Sequence, residues 1–140
     1  MLSSFFDNNN PFVPQNAKTS VEAPAHKPLV AGIVALPETA GSALYGMVDV
    51  LGAAGNLWNE LVGNAAGGRL IEPRIVSPAA EPFRCGNGIP VVPDLAMTDD
   101  PHCDLVIVPE IWLAPNDAMD GRHDDVKRWI RARYEAGAAI

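Results

Sequence analysis

Two uninterrupted apolar runs constrain this chain more than any other feature. Leu29-Val30-Ala31-Gly32-Ile33-Val34-Ala35-Leu36 and Leu105-Val106-Ile107-Val108 show none of the polar alternation that a strand with one wet face requires. Strands of that kind are covered on both faces, which is the situation inside a parallel sheet with helices above and below it. The first run is stopped by Pro37, and the second lies between Asp104 and Pro109-Glu110.

The segments between and around these strands supply the covering layers. After Pro37, Leu44, Met47, Val48, Leu51, Ala54, Leu57, Trp58 and Leu61 recur at steps of three and four, the period of an amphipathic helix, with Ser42 placed to cap it. Gly46, Gly52 and Gly55 weaken that helix by roughly 1 kcal/mol each relative to Ala, so they are expected where it packs closely or bends. Ile71 to Pro78 reads as a short strand whose prolines confine its pairing to an edge or to its ends. Phe83 to Val92 flanks Gly86-Asn87-Gly88 with two extended pieces and predicts a hairpin, and Asp94 to Met97 fits one helical turn. A closing helix follows, with Asp124 as N-cap, Val126, Trp129, Ile130 and Ala136 on its apolar face, and Gly137 as its stop. A new apolar strand opens at Ala138. The order is that of an α/β three-layer domain.

Composition closes several alternatives. A chain of 140 residues at 48% apolar content can bury a core. Its formal charge of -7 argues against a nucleic-acid or anionic-membrane surface on this part, because phosphate binding needs clustered Lys and Arg. Arg128, Arg131 and Arg133 are flanked by Asp124, Asp125 and Glu135, the pattern of a solvated helix face with local ion pairs. No stretch approaches the ~20 apolar residues of a membrane span, and the N-terminus has neither a basic segment nor an apolar one of the secretory kind. With two cysteines only, Cys85 and Cys103, a reduced cytoplasmic protein is the expectation. Residues 1–27 are rich in Asn, Pro, Ala and Ser and read as a flexible tail; the domain is expected over 28–140.

In an open α/β sheet ligands sit at the carboxyl ends of the strands. That rule selects Glu38, Thr39 and Ser42 after the first strand, and Glu110 and Trp112 after the third, as ligand-binding candidates. Against it stands the reading in which Glu38 and Glu110 are solvated loop acids and Trp112 packs on a neighbouring helix. Cys85 has no His or Asp close in sequence and lies in a hairpin, so a packed thiol is expected; Cys103 enters a buried strand and is expected in the core. His102, Cys103 and His123 match no metal-ligand spacing, and no metal or cofactor is expected.

The words in their order resemble the ThiJ/PfpI superfamily, the class I glutamine amidotransferase-like α/β fold, and most closely the N-terminal domain of AraC-type transcriptional regulators. The resemblance is carried by Leu36-Pro37, by Ala43-Leu44-Tyr45-Gly46-Met47-Val48-Asp49-Val50-Leu51, and by Arg74-Ile75-Val76-Ser77-Pro78. It is extended by Gly86-Asn87-Gly88-Ile89-Pro90-Val91-Val92-Pro93-Asp94 and Cys103-Asp104-Leu105-Val106-Ile107-Val108-Pro109-Glu110. It implies a flavodoxin-like three-layer sandwich with a mainly parallel sheet, incomplete at the C-terminus, because the strand opened at Ala138 would lead to a cysteine-bearing elbow past Ile140. The resemblance also places Ala43 where catalytic members carry a glutamate. It therefore implies no catalytic residue here, and a ligand-sensing or dimerisation domain: a small-molecule effector, a homodimer, and DNA contact only through a helix-turn-helix domain these residues do not contain. The alternative it leaves is a fragment of a cysteine-dependent hydrolase or hydratase.

Overall fold

The computed structural model describes residues 27–63 and 68–140; most of the expected N-terminal tail lies outside them. The two apolar runs form neighbouring strands, β1 (Leu29–Val34) and β6 (Leu105–Ile107), paired in parallel with Ala31 opposite Leu105. On the other side of β1 runs β2 (Ile71–Ser77), also parallel, and beyond it the two-residue β5 (Leu95–Ala96), giving the order β5-β2-β1-β6. Helix α1 (Gly41–Gly52) and the antiparallel hairpin of β3 (Phe83–Cys85) and β4 (Ile89–Val91) cover one face. Ile33, Ala35, Leu44, Ile75, Cys85 and Val91 form the core there. Helix α3 (Asp124–Glu135) covers the other face, where Val126 and Trp129 meet Val34, Leu36, Val76 and Val106. This is the α/β, three-layer, parallel-sheet architecture that the apolar runs and the resemblance predict. No helix among the described residues is long and apolar enough to cross a membrane.

Several elements differ from expectation, each for a physical reason. Strand β2 is not at the edge, yet its prolines are accommodated. It pairs with β1 along its whole length, while β5 touches only Val76 and Ser77, so the side of Pro73 that lacks a donor faces no neighbouring strand. The first helix is not continuous: α1 stops at Gly52, Gly55 takes φ +92°, and a short α2 (Leu57–Leu61) follows. Gly46 has open space where a Cβ would be, so no packing contact accounts for it. Ser42 is not the cap; the cap position is Ala40, with no side-chain hydrogen bond. The apolar spacing also overstated the buried stripe, since Met47, Leu57 and Leu61 are exposed. Asp94 to Met97 is not a helical turn: Leu95 and Ala96 extend as β5, and a 3-10 turn over Met97–Asp99 follows. In α3 the cap is His123 rather than Asp124, and Ala136 is exposed. The strand expected to open at Ala138 makes a parallel bridge, Leu105 with Ala139.

Both outer strands begin with the same device. Asp104, opposite Val30, donates its backbone N–H to the Val30 carbonyl at 2.9 Å and accepts the Val30 N–H on its carboxylate at 2.8 Å. Asp94, opposite Ile75, does the same at 2.8 and 2.7 Å. The side chain stands in for a carbonyl that a longer strand would supply, so β5 and β6 can start late without leaving a donor of the inner strand unpaired.

Two outcomes test this packing. Trp129→Ala removes the largest side chain between α3 and the sheet and is expected to cost about 3–5 kcal/mol, read as a fall in the urea denaturation midpoint. The Asp104 carboxyl is held below its usual range, first by the Val30 N–H, against burial that raises it, and then by His102. A carboxyl lowered in the folded state stabilises fully above the unfolded value of about 3.9 and loses that contribution as pH falls through the lower folded value. The stability gap between wild type and Asp104→Asn should therefore narrow on acidification below about pH 4.

Candidate functional site

The chain leaves β1 on one side for β2 and returns to its other side for β6, so the order reverses between β1 and β6. In an open parallel sheet such a reversal is where ligands bind, outside the carboxyl ends of the strands. The loops that frame it here are 35–40 and 108–112.

The first loop is built on Thr39. Its Oγ1 accepts the Leu36 N–H at 2.9 Å while its own N–H donates to the Leu36 carbonyl at 3.0 Å, closing a tight turn behind Pro37. Thr39 is 1% exposed, and its carbonyl accepts the Gly86 N–H, which docks the hairpin. The turn then pairs with the second loop: the Trp112 N–H donates to the Glu38 carbonyl at 2.7 Å, the Ala40 N–H to the Glu110 carbonyl at 2.9 Å, and Thr39 bridges Ile111. Glu38, Thr39, Glu110 and Trp112 are thus brought together by backbone pairing. Their side chains serve differently. The Thr39 hydroxyl closes the turn, Glu110 is exposed, and Trp112 is 55% exposed. Ser42 stands apart, exposed in the first turn of α1.

Glu38 is the candidate with a distant partner. Its Oε2 lies 3.1 Å from Nε2 of His123, and its Oε1 lies 3.8 Å from a guanidinium nitrogen of Arg122, whose other terminal nitrogen is 3.9 Å from Asp117. Glu38 and His123 are half-buried, while Arg122 and Asp117 are exposed. A carboxylate beside Nε2 favours the tautomer with the proton there and leaves Nδ1 as an acceptor. The cluster can therefore hold and orient a ligand's polar group, and it contains no thiol. His123 reaches this place because Gly121 and His123 take φ +72° and +54° and swing the chain onto the top of α3. Sequence spacing could not reveal the contact, which spans 85 positions; the glycine two residues before a histidine at a helix start was its only signal.

The two thiols lie elsewhere. Cys85 and Cys103 are 3% and 4% exposed, on opposite faces of the sheet. Cys103 packs over Gly32, where an added Cβ would come within 2.7 Å of its sulfur, and burial pushes the thiol up, against the lowering effect of Arg133. A raised thiol is a poor source of thiolate. His102 pairs with Asp104 at 3.1 Å and His123 with Glu38, so the two histidines serve separate carboxylates. Among the described residues no group of three or more His, Cys, Asp or Glu side chains is placed to hold a metal ion.

The left-handed backbone at His123 yields a measurable difference. His123→Asn and His123→Val both remove the imidazole, but Asn tolerates that conformation and a β-branched residue does not. His123→Val is expected to be less stable than His123→Asn by about 1–2 kcal/mol in chemical denaturation; equal midpoints would mean that the loop relaxes.

No family model and no curated protein matches the chain. Among solved structures, it is similar to a transcriptional regulator protein from Vibrio parahaemolyticus, with a TM-score of 0.57, 19% sequence identity, and coverage of 80% of this chain and 54% of that one. It is also similar to an AraC family transcriptional regulator from Pseudomonas putida, with a TM-score of 0.54 and 16% identity, covering 80% of this chain and 62% of that one. The chain spans a little over half the length of these two structures. What it shares with them is the α/β fold.

Proposed function

We propose that residues 28–140 are the N-terminal part of a ThiJ/PfpI-like domain that serves an AraC-type transcriptional regulator as a non-catalytic ligand-sensing or dimerisation module. One observation carries this reading: at the reversal of strand order the pairing of loops 35–40 and 108–112 sets Trp112 beside Glu38, whose carboxylate meets His123 and Arg122, while both cysteines are buried elsewhere. The likeness of the fold to two transcriptional regulators supports it. So does Ala43, partly buried in the first turn of α1, at the place where the resemblance puts a catalytic glutamate.

In this reading a small effector binds beside Glu38 and His123 in a cytoplasmic homodimer, and a helix-turn-helix domain outside these residues contacts DNA. The charge of -7 accords with a sensor that leaves phosphate binding to another domain. No cofactor takes part.

The test is enzymatic and genetic. The protein and its Cys85→Ser and Cys103→Ser variants are assayed for thiol-dependent hydrolase, glyoxalase-like and hydratase turnover, with no rate above background expected from any of them. A rate that disappears in either variant overturns the non-catalytic reading in favour of the cysteine enzyme. Sequencing the reading frame past Ile140 tests the placement: a helix-turn-helix pair supports it, and a stop codon soon after a cysteine-bearing strand-helix turn overturns it.

A further inference from the structure

The turn between β3 and β4 holds the one Asn-Gly step in the sequence, Asn87-Gly88. Both residues are exposed and left-handed, with φ +60° and +74°, and nothing lies within 4 Å of where a Cβ on Gly88 would stand. Asn and Gly are the residues that tolerate this backbone, so the turn itself accounts for the pair. The same pair brings together the two reactants of a reaction that needs only water. Hydroxide takes the Gly88 N–H proton, the nitrogen attacks Asn87 Cγ, and the side-chain nitrogen leaves as ammonia with a proton from water. A succinimide closes. Water then opens one of its two carbonyls: breaking the bond from nitrogen to Cγ leaves aspartate, and breaking the bond from nitrogen to the backbone carbonyl leaves isoaspartate.

The folded turn opposes this ring closure. A five-membered ring is nearly flat, so the Gly88 nitrogen has to eclipse Asn87 Cβ about the bond from Cα to the carbonyl carbon. At Asn87 ψ is 20°, which sets the residue's own backbone nitrogen, and not Cβ, near the Gly88 nitrogen. Three contacts hold that geometry. Arg84 donates from a terminal guanidinium nitrogen to the Gly88 carbonyl at 2.5 Å, Cys85 pairs with Ile89 across the base of the turn, and the Gly86 N–H donates to the Thr39 carbonyl at 2.9 Å.

We propose that Asn87-Gly88 is a self-modification site gated by this hairpin: the succinimide closes when the turn opens and ψ of Asn87 rotates, and the isoaspartate that follows keeps the hairpin from docking again. Isoaspartate carries the main chain through Cβ and so adds one backbone atom between Cys85 and Ile89. The ladder then cannot close in its alignment, and Gly86 loses its place on the Thr39 carbonyl. Ile89, which lies against Gly41 at the start of α1, is displaced with it. The reaction thus reaches the turn at 36–40 from the outer layer, and it stands independently of the regulator reading.

The experiment incubates the folded protein and the guanidinium-unfolded chain side by side at mildly alkaline pH and follows position 87 by peptide mapping that separates aspartate from isoaspartate. Conversion is expected in both, roughly tenfold or more slower in the folded protein, because the rate follows the population of the open turn. Arg84→Ala removes the clasp on Gly88 and is expected to raise the folded rate, relative to its own unfolded rate, by roughly two- to tenfold, the worth of one hydrogen bond. The isoaspartate form, separated by its added negative charge, is expected to denature at a lower midpoint than fresh protein. Asn87→Gly, which keeps the left-handed turn, is expected not to age. No conversion in the folded protein, equal rates folded and unfolded, a ratio unmoved by Arg84→Ala, or an isoaspartate form as stable as fresh protein each overturns the proposal.

Discussion

The turn at Thr39 holds the rest of the carboxyl end of this domain in place. Three backbone groups from two other parts of the chain converge on residues 36–40: the hairpin through Gly86, and the 110–112 loop through both Glu110 and Trp112. The start of α1 follows directly from it, with the Leu44 N–H donating to the Ala40 carbonyl. Such a turn has to be buried, because it lies where the hairpin layer meets the sheet. A buried turn must satisfy its own polar groups, and the Thr39 hydroxyl does this for the Leu36 N–H. Gly86 is tied to the same point: an added Cβ there would lie 3.0 Å from the Thr39 carbonyl oxygen, closer than the hairpin can approach with a larger residue.

What could be read from the sequence follows from how local each signal is. The runs at Leu29 and Leu105 announced buried parallel strands because burial on both faces removes polar residues from every position. The α3 face was visible through Val126 and Trp129. Signals that depend on partners far along the chain were not visible. The prolines of β2 pointed to an edge, and only the shortness of β5 explains why they are tolerated one strand further in. The apolar residues of the first helix overshot its end, since periodicity does not register a left-handed glycine at position 55.

The candidate site divides in the same way. The rule about strand ends selected Glu38, Glu110 and Trp112, which backbone pairing brings together at one end of the sheet, since it depends only on strand order. It could not assign roles, because a buried hydroxyl that closes a turn and one that meets a ligand look alike in a string of letters. His123 was legible only as a histidine. Its role comes from two left-handed residues that deliver it across the sheet to Glu38.

The paired aspartates, Asp94 and Asp104, have a consequence for how the sheet assembles. Each carboxylate finds its N–H only when its strand lies in one alignment beside its inner neighbour. A slip of one position would set a charged group against a carbonyl and turn the strand's apolar side chains toward the wrong layer. Strands of two and three residues hold little alignment information in their ladders, so these two side chains act as alignment keys, and a misaligned outer strand is rejected by its own first residue.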